Sequence, residues 1–530
     1  MSHTKSGIIY GVCIILAISV VAVFLNLYPH LYAFQHTPQG YIFSGQASWF
    51  DPWDINVYVS AIRWGQSGGF LMENLYDSQH QTPIFYYPIY TLAGRVFSNS
   101  NPFLVFYGLS IPTCVLLIAT LYYWLLFVFR SRYQAGWLSL ITILGGGFGY
   151  LTWNPEKAHL SPDLSMTGFT FTSAIQRPHE AIAMIALISC LFLSFRFICE
   201  NLSTNKILIY LTSLIALILS LIFYPFYALN IILIWFLFAL SKQYHWNHII
   251  WRYGLGLVGT AVLSVFLMNA NLTLNSSFGG VTHQSLSNPS IFSFVIGYGP
   301  LLFGFVYWLI KYRQASSLTR FLLIWVSVCL FLSLLPLGFA RFYFRGLFLP
   351  LTALTGQALL VLVQQNGGAI KEALIKLGLI CLLLVTSFSN LTIFFLRLRE
   401  VGQQNPWYYL SSADHQLILQ LQKLPNSYQG VMTDYYLSNL IPAFSSKRVF
   451  LGHKIQTPDF DQRQRWLTRL FACELKADTV SQYLEELQIQ FIVWPKQTSG
   501  CPPEFGPISS YPFLNQLYEN QFLTLYEIKK

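Results

Sequence analysis

Charge is what this sequence has least of: only 10% of its 530 residues are charged, with 21 acids against 31 lysines and arginines. Together with a mean hydropathy of +0.49 and a hydrophobic content of 54%, that scarcity excludes a soluble globular domain. Other features are missing as well. No phosphate-binding glycine loop opens a helix, and no acid pair stands on the cytoplasmic side to hold a metal-bound nucleotide, so nothing points to a nucleotide substrate. There is no internal repeat and no low-complexity tract. The excess of 10 positive charges could suggest nucleic acid, but in an apolar chain it is accounted for by cytoplasmic loops and contacts with anionic lipid. Cysteine is informative at two places. Cys13, Cys114, Cys190, Cys199, Cys329 and Cys381 lie in or beside apolar segments, where a thiol is ordinary packing, whereas Cys473 and Cys501 lie in a polar region and are open to either pairing or remaining free.

What is present in abundance is long apolar runs. The first, Gly7 to about Leu27, follows Lys5, lacks a small-residue cleavage site and reads as a retained membrane span. Further spans are expected at 103–129, 134–152, 180–199, 206–222, 225–241, 251–269, 291–311, 319–338, 346–363 and 376–397. The total is about 11 transmembrane helices of bilayer length, an odd number that puts the two ends of the chain on opposite sides. The pair within 206–241 is separated only by Phe223-Tyr224-Pro225-Phe226, and its length suits two short spans better than one kinked helix. Lys5, Arg130, Arg132, Arg196, Lys206, Lys242, Arg252, Lys311 through Arg320, Lys371 and Lys376 all fall on one face, which the positive-inside rule makes cytoplasmic. The loops 28–102, 153–179 and 270–290 and the tail after Arg397 are then extracytoplasmic.

From about Trp407 the composition changes. Helix-patterned stretches at 411–424 and 478–488 alternate with runs rich in β-branched and aromatic residues: Gly430–Met432, Arg448–Leu451, Gln490–Trp494 and Phe522–Ile528. This predicts a small α/β domain. The expected fold is therefore a polytopic α-helical membrane protein, 1–400, including the large first outer loop 28–102, with an extracytoplasmic α/β domain at 401–530.

In so acid-poor a chain, Ser48-Trp-Phe-Asp51-Pro-Trp-Asp54 stands out. Asp51 before Pro52, with Asp54 three residues on, has the form of a helix start: an acceptor at the N-cap, proline at the first helical position, an acid in the first turn. Ile55, Tyr58, Val59 and Ile62 share a stripe, so the helix is expected to lie along the membrane surface. Asp54 there is also a candidate general base, which needs a carboxylate within reach of a reacting hydroxyl. Gly65, Gly68 and Gly69 then let the chain turn, and 83–97 reads as an interfacial segment too short to span. His80 and Asp77 are available side chains, but their spacing matches no specific metal site.

A second stretch, Gly338-Phe-Ala-Arg341-Phe-Tyr343-Phe-Arg345, places two arginines at the outer ends of spans, against the usual charge bias. At i, i+4 they would share a helix face, and planar guanidiniums there suit a phosphate or diphosphate. Snorkelling to lipid headgroups is the simpler alternative. Arg177 is a third such arginine, beside the titratable His179 and Glu180. A lipid phosphate would sit by the arginines and the reacting hydroxyl by the acid.

With those residues in view, the chain resembles the membrane glycosyltransferases of the GT-C class, which include protein mannosyltransferases, aminoarabinose transferases and uncharacterised bacterial relatives. The first-loop residues Asp54-Ile-Asn-Val-Tyr58, Ile62-Arg63-Trp64-Gly65, Gly68 and Asn74-Leu75-Tyr76 are similar to the pattern of the bacterial members. In the tail, Asn439-Leu-Ile-Pro-Ala443, Arg448-Val-Phe-Leu-Gly-His453 and Thr457-Pro-Asp459 resemble theirs. The resemblance implies inverting transfer of a sugar from a polyprenyl-phosphate carrier to a glycan, lipid or protein acceptor in a bacterial cytoplasmic membrane. It makes Asp54 the base, with Asp51 as substitute or partner; Arg341, Arg345 and Arg177 are the candidate ligands of the donor phosphate by their placement at the outer ends of spans. Tyr58, Arg63, His80, His179, Glu180, Tyr343, Asn439 and His453 are the candidate substrate contacts. One departure is that the mannosyltransferases' adjacent Asp-Glu pair is replaced here by two acids three residues apart. No cofactor or resident metal is expected, although a divalent ion is compatible with the class. Two rivals remain: a flippase or transporter of a lipid-linked sugar, which predicts polar groups inside the spans, and a non-catalytic scaffold, which leaves the outer arginines unexplained.

Overall fold

A computed structural model describes the chain apart from residues 1, 80, 153–160, 200–205, 243–247, 275–277, 279–289, 337, 366–370, 425–429, 497–506 and 530. By contact the chain divides into two compact units. The first comprises Met1–Pro29, Gly108–Met268 and Ser285–Arg397, the second His30–Tyr107, Asn269–Gln284 and Leu398–Lys530. This grouping follows a different line from a division of the chain at residue 400, because residues of the first loop pack with the tail.

The chain is a multi-pass membrane protein. Eight described helices are long and apolar enough to cross a bilayer: Ile8–Gln35, Pro102–Phe129, Pro178–Cys199, Lys206–Phe223, His248–Thr273, Ile291–Ile310, Ser317–Leu334 and Ala373–Gly402. The remaining three segments of the expected 11 are shorter in apolar helix. The 206–241 stretch is indeed two helices, of which the second, Tyr227–Ser241, has 15 residues. In the helix Phe348–Gln365 the apolar part ends at Val363. The segment expected at 134–152 forms a helix only over Arg132–Ile143. It stops at Gly145-Gly146-Gly147, where partners outside the helix take over the backbone groups: Gly146 N–H donates to the Thr386 carbonyl at 2.8 Å, and Asn390 Nδ2 donates to the carbonyls of Leu144 and Gly145 at 2.7 and 3.0 Å.

In the second unit, the strands β1 (Tyr41–Phe43) and β2 (Tyr409–Ser411) pair antiparallel, joining the first loop to the tail. A four-stranded sheet has the order β3 (Gly430–Met432), β4 (Ile489–Pro495), β6 (Leu523–Ile528), β5 (Leu514–Glu519). β3 runs parallel to β4, and the other pairs are antiparallel. Helices Ser412–Lys423 and Ala477–Glu486 form as the 3.6-residue pattern predicts. The run Arg448–Leu451 is not a full strand. Val449 makes a single parallel bridge to Val431, while its own N–H goes to the Leu75 carbonyl of the first loop. Cys473 is disulfide-bonded, and the six cysteines of the apolar segments are free thiols. Cys501, whose pairing with Cys473 the sequence leaves open, lies outside the described residues.

The helix Pro52–Gln66 departs from expectation. Instead of burying a single apolar stripe, it is buried on most sides, by Pro88–Val96 and by Tyr435–Ser445. Glycine makes the first contact possible. A Cβ on Gly65 would stand 2.1 Å from the Thr91 carbonyl oxygen, and one on Gly94 would stand 2.0 Å from that of Ile62, so the two backbones touch where any larger residue would hold them apart. Gly65 thus serves helix packing, whereas Gly68, at φ +99°, makes the expected turn.

Candidate functional site

Within the second unit the site begins at the N-terminus of the helix Pro52–Gln66. Asp51 occupies the cap position, but at φ 40° and ψ 66° its backbone is left-handed and its side chain accepts no capping bond. The expected capping role is therefore not realised, since a capping side chain needs the extended backbone that aims its oxygen at the second or third N–H. Pro52 fills the first helical position, and the Asp54 N–H closes the turn on the Asp51 carbonyl at 2.9 Å. Asp54 then lies in the first turn, where the helix dipole favours negative charge.

His453, from the tail, meets that carboxylate: its Nε2 lies 2.6 Å from Asp54 Oδ1. The His453 side chain is 4% exposed and that of Asp54 20%. Four tyrosines register the charge of Asp54. The phenols of Tyr76, Tyr86, Tyr87 and Tyr435 are pushed above their ordinary pKa, chiefly by burial, and the negative charge of Asp54 adds to the shift in each.

Around this pair, first loop and tail are joined by further polar contacts. Glu73 pairs with Arg448, and Asp77 with Arg463 at 2.9 Å; all four side chains are buried. Asn56 Nδ2 donates to Asn439 Oδ1 at 2.6 Å, Tyr76 OH to the Asn439 carbonyl at 3.2 Å, and Asn74 Nδ2 to the Gln456 carbonyl at 2.6 Å. Asn439 is thus engaged within the unit. Tyr58 is buried in an aromatic stack, 5.2 Å from the centroids of both Tyr87 and Tyr90. Arg63 donates through Nη2 to the Phe444 carbonyl at 2.7 Å. His80 lies outside the described residues.

The first unit holds a separate cluster. Arg177 and Arg345 approach the same oxygen, Glu180 Oε1, at 3.5 and 3.3 Å, and Tyr224 OH donates to it at 3.0 Å. His179 Nε2 lies 3.4 Å from that hydroxyl. The Arg345 guanidinium stacks over the rings of Tyr224 and Phe342 at 4.2 and 4.8 Å. Arg177 and Arg345 are only 4% and 3% exposed, yet Arg345 Nε and Glu180 Oε2 have no hydrogen-bond partner among the described residues. Gly168, at φ +71°, lines the cluster, and a Cβ there would come within 2.7 Å of Arg345 Nε.

Arg341 and Arg345 do not share the face of an α-helix, contrary to expectation. Ala340–Phe342 is a 3-10 turn, and regular helix resumes only at Phe348, so the i, i+4 spacing has no helical meaning there. Arg341 is half-buried and lies against Phe342, with its guanidinium 5.5 Å from the ring centroid. Tyr343 is buried, and its carbonyl accepts from Asn230 Nδ2 at 3.0 Å. Tyr224 was missed from sequence. It belongs to the Phe-Tyr-Pro-Phe break, which reads as a turn and in fact delivers a hydroxyl to Glu180.

One further buried acid in this unit, Asp163, accepts the N–H groups of Gly147 and Gly149 through Oδ2 at 2.9 and 3.2 Å. Its burial holds its pKa above the ordinary carboxylate range. Among the described residues no three His, Cys, Asp or Glu side chains gather as a metal site requires.

No protein-family model matches the chain, and no curated protein matches it in sequence. Solved structures do match it in fold. The archaeal oligosaccharyltransferase AglB from Archaeoglobus fulgidus, in complex with an inhibitory peptide and a dolichol-phosphate, superposes with a TM-score of 0.55 at 13% identity, over 92% of this chain and 69% of that one. ArnT from Cupriavidus metallidurans, bound to undecaprenyl phosphate, superposes with a TM-score of 0.52 at 11% identity, over 97% of each chain. The chain has the GT-C fold of these membrane glycosyltransferases.

Proposed function

We propose that the chain is an inverting glycosyltransferase that takes a sugar from a polyprenyl-phosphate donor on the outer face of a bacterial cytoplasmic membrane. Asp54 is the general base. It removes the proton of the acceptor hydroxyl as that oxygen bonds to the anomeric carbon. The bond from that carbon to the phosphate oxygen breaks at the same time, and the electron pair leaves with the polyprenyl phosphate. In the other unit Arg345 and Arg177, with Arg341, are proposed separately as the phosphate-binding cluster, since guanidiniums suit the oxygens of an anionic headgroup.

The observation that carries this reading is the state of Asp54: a part-exposed carboxylate in the first turn of a buried helix, 2.6 Å from a histidine nitrogen. An acid kept only for structure would more often be sealed, as Glu73 and Asp77 are. Support for the phosphate role comes from the buried Arg345 Nε, without a hydrogen-bond partner among the described residues, beside a carboxylate that serves two guanidiniums. The GT-C neighbours solved with dolichol-phosphate and undecaprenyl phosphate fit a donor on such a carrier.

The test compares glycan products of cells carrying Asp54→Asn and wild type at equal protein level. Loss of a general base is expected to lower transfer about 100- to 10,000-fold, so the product made by wild type should vanish; an unchanged profile rejects the reading. A reporter fused after Lys530 should be active only outside the cytoplasm.

A further inference from the structure

We infer that His453 is the positioning residue for the Asp54 carboxylate, holding it as a proton acceptor through Nε2–H; the catalytic part of this inference rests on the proposed role of Asp54. The tautomer follows from the hydrogen bonds on the other side of the ring. Nδ1 receives the backbone N–H of Ile455 at 3.2 Å and of Gln456 at 3.3 Å. Backbone N–H groups only donate, so Nδ1 presents its lone pair to them and the ring proton of the neutral imidazole is on Nε2. Nε2–H therefore points at Asp54 Oδ1, 2.6 Å away.

Two consequences separate this pair from a relay in which histidine takes the substrate proton. Both ring nitrogens are engaged, one by the backbone and one by the carboxylate, so the imidazole has no remaining site for a proton from the acceptor. Asp54, an acceptor-only group once ionised and the more exposed partner, is left to take it. The ring itself has little freedom. It is buried, its edge faces Tyr76 at a centroid distance of 6.1 Å, and the loop that carries it folds back on itself. In that loop Gln456 and Thr457 donate to the His453 carbonyl at 3.1 and 2.9 Å, and Thr457 Oγ1 accepts from Gly452 N–H at 3.0 Å. A rigid donor fixes one carboxylate oxygen and with it the direction of the other, as precise positioning of a catalytic group requires. The tail thereby becomes part of the catalytic apparatus through a residue that need not touch substrate.

The experiment has a physical arm and an activity arm. Full-length protein labelled with 15N-histidine is examined by NMR near neutral pH, and the His453 signals are assigned by their absence in His453→Gln. The expected result is an unprotonated Nδ1, a protonated Nε2, and an Nε2 resonance that moves in Asp54→Asn. The opposite tautomer, or an Nε2 resonance indifferent to Asp54→Asn, overturns the inference. In the activity arm, the product lost in Asp54→Asn is followed. His453→Ala should lower its rate of formation about 10- to 100-fold with little change in acceptor KM. His453→Gln, whose amide N–H stands near the position of Nε2–H, should recover the rate to within about fivefold. A Gln variant as damaged as the Ala variant also overturns the proposal. Should Asp54→Asn lose no product, the proposed function falls, and the NMR arm still decides whether His453 holds Asp54.

Discussion

In the unit that contains the tail, Glu73 pairs with Arg448, Asp77 with Arg463 and Asp54 with His453. In the unit built from the spans, one oxygen of Glu180 serves two guanidiniums and a phenol, and Asp163 meets serine side chains as well as backbone N–H groups. Glu73 and Asp77, each paired with an arginine, are 5% and 2% exposed and join loop to tail; the third acid, Asp54, is 20% exposed and faces an imidazole instead of an arginine. The difference separates charges that are satisfied on folding from charges left able to act on something else. The Arg345 guanidinium, whose Nε has no hydrogen-bond partner among the described residues, and the part-exposed carboxylate of Asp54 are both of the second kind.

The comparison breaks most sharply at the closed pairs. Arg448→Met strands Glu73 in a buried position and should cost about 3–5 kcal/mol of stability, read from thermal or denaturant unfolding of the purified chain. Adding Glu73→Gln should return most of that loss. A double variant as unstable as the single would mean that the arginine acts by packing and not by pairing.

Arg345→Gln is the matching test in the other unit. If the guanidinium is there for phosphate, its removal should weaken binding of undecaprenyl phosphate about 10- to 100-fold, the worth of a charge-assisted contact. Equal binding by wild type and variant would place Arg345 among the purely structural ion pairs.

The smallest effect belongs to Asp163. Burial raises its pKa in the folded state, so the folded chain holds the proton more tightly than the unfolded one. Its contribution to stability is therefore complete below the unfolded carboxylate range and is lost as pH rises through the raised folded value. Asp163→Asn keeps an acceptor for Gly147 and Gly149 while removing that dependence. Unfolding midpoints at acidic and alkaline pH should show the variant gaining on wild type as pH rises; a constant difference would show that Asp163 is not the titrating group.

Much of this architecture is legible in order along the chain. Apolar length marks the eight described helices long enough to cross a bilayer, and Pro225 marks the division of 206–241. The tail strands at 430–432, 489–495 and 523–528 follow their β-branched content. The failures have a common cause in contacts distant in sequence. Asp51 has the composition of a cap but not its backbone, and the arginines of 338–348 have helical spacing without a helix. β5 was not expected at all, because Leu514–Glu519 has little apolar alternation and exists as the edge partner of β6.

Hydrophobic runs act locally, so composition alone settled that this is a many-span membrane chain with a polar α/β tail, and scarcity alone made Asp54, Arg177 and Arg345 conspicuous. Which partner each charged group meets was decided only in three dimensions. Asp54 and His453 are 399 residues apart, and nothing local to either predicts a 2.6 Å contact. A hydrogen bond depends on ångström-scale placement, which is set by how the buried helix Pro52–Gln66 packs against the tail.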